Sequence, residues 1–219
     1  MKRLFNLVII IAVILIGFTA FSYFNKIKTK KSISASAAPK SFASINENNS
    51  SRLKKLESKT VNLKDYCHRK GFNSDVSFIV DMSVASGRAR FFIYNLKTKS
   101  VDGSGLVTHG AGATNDINSI IFSNKPNSNC TSLGKYKVGN AYYGRLGLAY
   151  KLHGLESTNS NAFARFVVLH AHSCVPETEV YPLSICPSLG CPTVSPAFLQ
   201  RLKTYISGSS KPILLYIYK

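Results

Sequence analysis

The residues best suited to chemistry in this chain are a glycine–cysteine turn, Ser188-Leu189-Gly190-Cys191-Pro192, and an upstream histidine, His170. A cysteine that follows glycine in such a turn exposes its sulfur, and Gly190 leaves backbone room for a carbonyl group to approach. A thiol with a reference pKa of about 8.5 is mostly protonated at neutral pH, and a histidine can take its proton. The pair predicts acyl transfer, with Cys191 as the nucleophile and His170 as the base.

The turn also offers groups that could support the nucleophile. Pro192 has no N–H group, so local oxyanion donors must be the backbone N–H groups around Gly190, which we therefore count among the catalytic residues. The hydroxyl of Ser188 could orient His170 or cap the turn, and we expect orientation. Without the turn, a lone histidine at the end of a strand would be interpreted as a structural residue.

The elements that must position these residues are short and strand-like. His170 ends an apolar run that predicts a strand over Ala162–His170, and Gly144-Arg145 separates two runs in the manner of a hairpin. Many short strands with few helices favour a mainly β domain that curls into a sandwich or barrel. Further strands are predicted at Val76–Asp81, Arg90–Leu96, Gly105–His109, Gly134–Tyr143, Leu146–Leu155 and Pro212–Tyr218, and a helix at Pro196–Ile206.

Three segments precede this domain, which we place at residues 72–219. Leu4–Phe24 is a run of 21 residues without a charge. It is long enough to span a bilayer as a helix, and no small-x-small cleavage site follows it closely. We therefore expect residues 1–24 to be an uncleaved transmembrane signal anchor. Residues 25–50 have the composition of a flexible linker, and residues 51–71 predict an amphipathic helix that ends at Gly71.

The charge of the chain is strongly positive and unevenly placed. The net charge is +18, of which residues 1–71, with 14 basic and 3 acidic side chains, carry +11. Such a segment is attracted to anionic lipid or to an anionic cell wall. No basic run alternates with stacking aromatic residues, and no zinc-finger or RNA-binding motif occurs, so a nucleic-acid partner is not expected.

The cysteine count allows one working thiol together with a disulfide. An odd number of cysteines fits this arrangement in an oxidising compartment. Cys174 and Cys186 bracket a proline-containing loop between the proposed base and nucleophile and form the candidate bridge, although sequence alone leaves the pairing open. The five cysteines are Cys67, Cys130, Cys174, Cys186 and Cys191.

Two other classes of function compete with the enzyme. His170, His172 and Cys174 alternate, so on a strand they would share a face and, with Cys186 or Cys191, could bind zinc in a hydrolase. This zinc hypothesis is the weaker one, because no Cys-x-x-Cys pair is present and the turn would go unexplained. In a non-catalytic wall-binding module, the cationic surface would hold polymer and Cys191 would be structural.

The ordered motifs resemble the murein L,D-transpeptidase catalytic-domain family of the YkuD type, in its Ser-x-Gly-Cys-Pro subgroup. The resemblance rests mainly on Val167-Val168-Leu169-His170-Ala171 followed by Ser188-Leu189-Gly190-Cys191-Pro192, and it covers residues 72–219. Further matching segments are Val80–Ser86, Arg90-Phe91-Phe92, Thr108-His109-Gly110, Leu133–Tyr136, Leu152–Glu156, and Asn161 with Arg165.

The resemblance implies a YkuD-type β-sandwich or barrel and an enzyme of peptidoglycan. Cys191 would attack the carbonyl at the L-centre of a diamino acid in a stem tetrapeptide, and His170 would take the thiol proton and pass it to the departing D-alanine. An amine of a second stem would resolve the thioester into a cross-link, whereas water would make the enzyme a carboxypeptidase. No metal or organic cofactor is implied, and carbapenems are the expected inhibitors.

The implied location is the periplasm or cell envelope, with the N-terminal helix anchored in the inner membrane. The four lysines that follow this helix would, by the positive-inside rule, leave the domain in the cytoplasm. A peptidoglycan substrate requires the opposite side, which we therefore expect.

Substrate recognition must differ from the commoner family pattern. That pattern has His or Lys before the motif glycine and Arg after the cysteine, whereas this chain has Leu189 and Pro192 at those positions. The Ser-x-Gly-Cys-Pro subgroup has Arg before the motif serine, and this chain has Pro187 there. Other side chains must then bind the substrate carboxylate. The candidate substrate-binding residues are Arg165, His109, His153 and Asn161.

Overall fold

The computed structural model describes residues 42–112 and 120–219. The predicted anchor at 1–24 lies outside these residues, and none of the described helices is long and apolar enough to cross a membrane. Residues 52–219 make up the compact unit that contains the sheet. The elements are α1 (Phe42–Thr60), α2 (Leu63–Lys70), β1 (Val76–Asp81), β2 (Phe91–Asn95), β3 (Ser100–Gly105), β4 (Gly134–Gly144), β5 (Gly147–Gly154), β6 (Val168–Ala171), β7 (Thr193–Val194), α3 (Pro196–Ser207) and β8 (Leu214–Tyr218).

The eight strands form one sheet in the order β3-β2-β1-β8-β4-β5-β6-β7. The pairs β1–β8 and β6–β7 are parallel, and the others are antiparallel. The fold is therefore mainly β with short helices, as the sequence predicted at this level.

Both faces of the central strands are buried, which explains why β1 is apolar almost throughout. Phe78 and Val80 face a core that includes Leu202 of α3, whereas Ile79 faces a second cluster with Leu63 of α2. A strand covered on both faces has no need for polar alternation. Helix α3 begins at Pro196 behind the N-cap Ser195, whose hydroxyl accepts the Phe198 N–H at 3.3 Å.

The chain beyond β3 covers the opposite edge of the sheet. Val107 pairs with Val194 of β7 in an antiparallel bridge, and the Thr108 N–H donates to the Thr193 carbonyl at 2.9 Å. Gly110 then bridges to Ser188. The stretch from residue 107 to 110 therefore lies directly against the glycine–cysteine turn.

Several predicted elements match the structure, and others do not. The strand at Val76–Asp81 and the hairpin around Gly144-Arg145 are confirmed. The strand predicted at Gly105–His109 is wrong, because β3 ends at Gly105 and the next residues make only isolated bridges. A helix starts at Phe42, within the segment interpreted as a linker, and the segment predicted as one helix over 51–71 contains the break between α1 and α2.

The strand predicted at Ala162–His170 is also largely wrong. Only Val168–Ala171 is extended, and the preceding residues form turns in which the Ala162 N–H donates to Asn159 O at 2.9 Å. Phe166 ends these turns with φ +56°, in the left-handed region that non-glycine residues rarely adopt. Ala162 and Val167 are apolar because they pack into the core from a turn, so their pattern imitated a strand.

Arg90 is fully buried and connects the β1–β2 region to the stretch beside the turn. Its Nε and Nη2 donate to Val107 O at 3.0 and 2.8 Å, Nη1 donates to Val84 O at 3.0 Å, and Nη2 also donates to His109 Nδ1 at 3.0 Å. Burial lowers the pKa of Arg90 to about 10, and the nearby Asp81 opposes this shift.

We expect Arg90→Met to lower the free energy of unfolding by about 3 kcal/mol, because it leaves buried acceptors without a donor. Urea unfolding of the purified chain, followed by circular dichroism, measures the change. Arg69→Met removes the same charge from the exposed end of α2 and should change stability by less than about 0.5 kcal/mol. Equal stability of the two variants would contradict a structural role for Arg90.

Candidate active site

A cavity of about 400 Å³ contains the residues that the sequence singled out for chemistry. Its walls are β6, the glycine–cysteine turn, β7 and the tip of the β4–β5 hairpin. Cys191, His170, Ser188 and Thr193 all line it. Pairing of His170 with Ala149 of β5 and with Thr193 of β7 explains why strands distant in sequence meet there.

The sulfur of Cys191 is held by backbone groups of the segment that enters β6. The Val168 N–H donates to Sγ at 3.5 Å, and the thiol donates to Phe166 O at 3.8 Å. The residue is partly exposed. Burial of the sulfur raises the pKa of the Cys191 thiol, while the Val168 N–H and the charge of Arg165 offset part of that rise. The resting thiol is therefore protonated at neutral pH.

His170 has a defined orientation at the end of β6. Its Nδ1 lies 3.1 Å from Ala171 O, and because a carbonyl only accepts, Nδ1 carries the proton of the neutral ring. Nε2 is then the free base and receives the Thr193 hydroxyl at 3.0 Å. Burial lowers the pKa of His170; the Ala171 hydrogen bond opposes this, and His172 adds to it. At neutral pH the ring is uncharged and can accept a proton.

No hydrogen bond within residues 42–112 and 120–219 joins the sulfur of Cys191 to His170. Both side chains line the same cavity, and Thr193 occupies the ring nitrogen in this resting arrangement. Contacts between a nucleophile and its base are often loose before substrate binds. The cavity thus brings a thiol and a basic ring nitrogen to one surface, which are the groups that thiol attack on a carbonyl requires.

The glycine–cysteine turn is fixed by hydroxyl groups around it. Ser188 Oγ donates to Cys191 O at 2.7 Å and accepts the Gly190 N–H at 3.2 Å, so Ser188 caps the turn. Thr108 Oγ1 donates to the same Cys191 carbonyl at 3.1 Å. The expectation that Ser188 orients His170 is corrected, because the Ala171 carbonyl and the Thr193 hydroxyl occupy both ring nitrogens.

Gly190 is required by backbone geometry. Its φ is +109°, and a Cβ there would lie 2.8 Å from Cys130 O. Its N–H is used by Ser188, whereas the N–H groups of Leu189 and Cys191 make no hydrogen bond within the described part of the chain. These two N–H groups are thus available to an incoming oxygen.

Residues 47–218 match the family model YkuD_2, described as the L,D-transpeptidase catalytic domain. The chain belongs to this family. No protein in a search of curated proteins matches it.

The chain is also similar to solved structures. The match to Ldtfm, in the structure of its avibactam carbamoyl enzyme, covers 66% of this chain and 49% of the Ldtfm chain, at 13% sequence identity and a TM-score of 0.42. The match to the helical cell shape determining protein Pgp2 from Campylobacter jejuni covers 71% of this chain and 55% of the Pgp2 chain, at 11% sequence identity and a TM-score of 0.42. The match to an L,D-transpeptidase from Mycobacterium smegmatis covers 66% of this chain and 59% of that chain, at 13% sequence identity and a TM-score of 0.37. The chain thus spans about half the length of the structures it matches.

The predicted substrate-binding residues of this L,D-transpeptidase domain do not line the cavity. His109 is 2% exposed and accepts the Arg90 guanidinium at Nδ1, and burial, followed by the charge of Arg90, lowers its pKa to about 4. His153 stacks on Phe163 with ring centroids 4.7 Å apart. Asn161 bonds to the backbone of Asn124 through Nδ2 at 3.0 Å. The structure thus places these three residues outside the cavity that holds Cys191 and His170.

Arg165 lies near the nucleophile, but its donors are occupied. Nη2 donates to Cys130 O at 2.6 Å and to Ser128 Oγ at 3.2 Å, and Nη1 donates to Ser123 O at 2.9 Å. The side chain therefore holds the loop before β4 against the turns that precede β6. It acts on Cys191 through its charge and has little capacity left for a substrate carboxylate.

Cys174 and Cys186 form a disulfide with their Cα atoms 6.1 Å apart. The bridge closes the loop between base and nucleophile, and Val175 and Ile185 of this loop pack on Leu106. It also consumes two ligands of the zinc hypothesis. Within the described residues, no cluster of His, Cys, Asp or Glu is placed to hold a metal ion, so that alternative is corrected.

Proposed function

We propose that this protein is a peptidoglycan L,D-transpeptidase in which Cys191 is the nucleophile and His170 is the base. The observation that carries the proposal is the Cys191 sulfur, held by the Val168 N–H on the wall of a cavity that it shares with an uncharged imidazole. The acyl donor is a stem tetrapeptide that ends in D-alanine. The chemistry needs only the side chains and backbone of the chain itself.

The reaction begins with a proton transfer from sulfur to His170 Nε2. In the resting site the thiol points to Phe166 O, and Thr193 Oγ1 donates to Nε2. Thr193 has a second acceptor, Cys191 O at 3.5 Å, so rotation of its hydroxyl frees the ring nitrogen. The proton then moves to Nε2 as the sulfur–carbon bond forms.

The developing oxyanion meets the free N–H groups of Cys191 and Leu189. Removing one such donor typically costs about 3–4 kcal/mol of transition-state stabilisation. As the tetrahedral intermediate collapses, the carbon–nitrogen bond breaks and the proton on Nε2 moves to the amine of D-alanine. The result is a thioester on Cys191 and free D-alanine.

The second half-reaction reverses the use of the same groups. The amine of a neighbouring stem peptide gives its proton to Nε2 and attacks the thioester, forming an amide cross-link and returning the thiol. Water in place of the amine releases a tripeptide. Because both acceptors use the same base, the site permits both outcomes, and the cavity's affinity for the second stem decides between them.

The setting of the reaction is the cell envelope. We place the N-terminal helix at residues 1–24 in the inner membrane and the domain on the periplasmic side, where stem peptides are found. The net charge of +18 would hold the protein near anionic wall polymer. Carbapenems would acylate the same thiol, because their strained carbonyl presents the electrophile that Cys191 attacks.

The test is product analysis with the purified full chain and disaccharide-tetrapeptides isolated from peptidoglycan. We expect mass spectrometry to find a dimer that has lost one D-alanine, with the free amino acid released in equal amount. A Cys191→Ala sample serves as the blank. Tripeptide with D-alanine, and no dimer, would assign the carboxypeptidase reaction. Retention on isolated wall sacculi without D-alanine release would overturn the proposal in favour of a binding module.

A further inference from the structure

The cavity around Cys191 carries one fixed charge. Among the described residues that line it, Arg145 is the permanent cation, and none is an aspartate or glutamate. The hairpin tip beside Arg145 is apolar or aromatic, with Tyr142 and Leu146, and the other polar side chains of the cavity are hydroxyl groups and imidazoles. A guanidinium that is the one permanent cation among the described lining residues is suited to selecting an anionic group of the substrate.

Arg145 is held at a defined place although it lies at a loop tip. Gly144 pairs with Gly147 and Tyr143 pairs with Leu148, so the β4–β5 hairpin is in register up to a loop of two residues. Gly147 has φ +84°, which lets the chain turn back immediately. The backbone of Arg145 is therefore fixed while its side chain remains exposed.

The guanidinium of Arg145 has no partner in the described part of the protein. No hydrogen bond or ion pair involves it, whereas Arg165 and Arg90 spend their donors on carbonyl, hydroxyl and imidazole groups. The four substrate-binding candidates predicted from the sequence all lie outside the lining of this cavity. Arg145 is the cation that the cavity leaves available.

We propose that Arg145 binds a carboxylate of the acyl donor and thereby selects stem peptides that carry one. This inference rests on the proposed function. The planar fork of arginine donates two parallel hydrogen bonds to a carboxylate, which an ammonium group cannot reproduce. Next to the bond that is cleaved, a stem tetrapeptide offers this chemistry in two places, the C-terminus of D-alanine and the side-chain carboxylate of a diamino acid that carries one.

Three synthetic donors distinguish the two sources. One has both carboxylates free, the second has its C-terminus as an amide, and the third has the diamino-acid carboxylate as an amide. KM and kcat for D-alanine or D-alaninamide release are measured with the full chain, with Arg145→Gln and with Arg145→Lys. Arg69→Gln on α2 is the matched control, since it removes one exposed charge away from the cavity.

We expect Arg145→Gln to raise KM for the free-acid donor about 10- to 100-fold, as for the loss of a hydrogen bond to a charged group, with kcat less affected. Arg145→Lys should recover part of the loss, and Arg69→Gln should match the wild type. For the donor whose amide replaces the recognised carboxylate, wild type and Arg145→Gln should have equal KM values, which identifies the source.

The inference is overturned if Arg145→Gln behaves as the wild type on all three donors, or if it weakens all three equally. The proposed function fails separately, when the wild type itself releases no D-alanine from any donor. The two failures cannot be confused, because the first requires an active wild-type enzyme.

Discussion

Cys191→Ala is expected to abolish covalent labelling by a carbapenem and all release of D-alanine. The sulfur is the atom that holds the acyl group, and no other side chain in the cavity is a comparable nucleophile. The fold should be unaffected, because within the described residues the Cys191 side chain makes two weak hydrogen bonds, with the Val168 N–H and the Phe166 carbonyl. Intact-mass spectrometry after incubation with meropenem gives the answer, with circular dichroism as the check on folding.

Cys130→Ala is the matched control for this experiment. Cys130 is another free thiol and is 4% exposed. It lies beside the glycine–cysteine turn, since a Cβ at Gly190 would be 2.8 Å from its carbonyl oxygen, and this oxygen accepts a hydrogen bond from Arg165. Because that carbonyl belongs to the backbone, the variant keeps the contact and should label like the wild type. An adduct that survives in Cys191→Ala but disappears in Cys130→Ala would show that Cys130, and not Cys191, is the nucleophile.

The sequence predicted those parts of the fold whose signals are local. The hairpin around Gly144-Arg145 has alternating strands on either side of a glycine-bounded turn, and the structure confirms it. The apolar run of β1 was also recognised. The run at Ala162–Val167 misled because a turn that packs into the core needs the same residue types as a strand. Periodicity alone does not separate the two over so few residues.

The candidate site was predictable where side-chain type carries the chemistry. Cys191, His170 and the need for Gly190 follow from the motif. The contact of His170 with the Ala171 carbonyl could not be predicted from the sequence, because any residue at that position supplies the same backbone oxygen. Thr193 gave only a weak signal, since its meeting with His170 depends on the parallel pairing of β6 with β7.

Substrate-binding residues were the least predictable part. The family pattern's basic groups are missing from the motif, and His109 was predicted to replace them. Its partner Arg90 lies 19 residues earlier in the chain, and the contact exists only after the sheet has formed. Arg145 was visible as a turn residue, but its place at the cavity depends on the pairing of β5 with β6. Long-range pairing decides which cation faces the substrate, and a single sequence does not specify it.

His170→Ala is expected to slow acylation about 10²- to 10⁴-fold, the usual contribution of a positioned base. The thiol remains, so meropenem should still form the Cys191 adduct, but slowly. Stopped reactions analysed by intact mass give the rate. His172→Ala is the matched control. His172 lines the same cavity, and in the part of the chain that the structure describes its ring accepts one hydrogen bond, from the Cys174 N–H at 3.1 Å. It should retain nearly full activity.

The pH dependence of kcat/KM distinguishes a variant that has lost its general base from one that has lost its fold. In the wild type the imidazole must be neutral, so kcat/KM should fall only as the pH drops through the pKa of His170, which burial holds below 6.5. His172→Ala should move this acid limb upward, because it removes a neighbouring charge that lowers that pKa. In His170→Ala the decrease that reports protonation of His170 should be absent. The rate should then depend on the fraction of Cys191 present as thiolate, and it should rise with pH because burial raises the pKa of Cys191. A His170→Ala enzyme that keeps the wild-type acid limb would show that another group removes the proton.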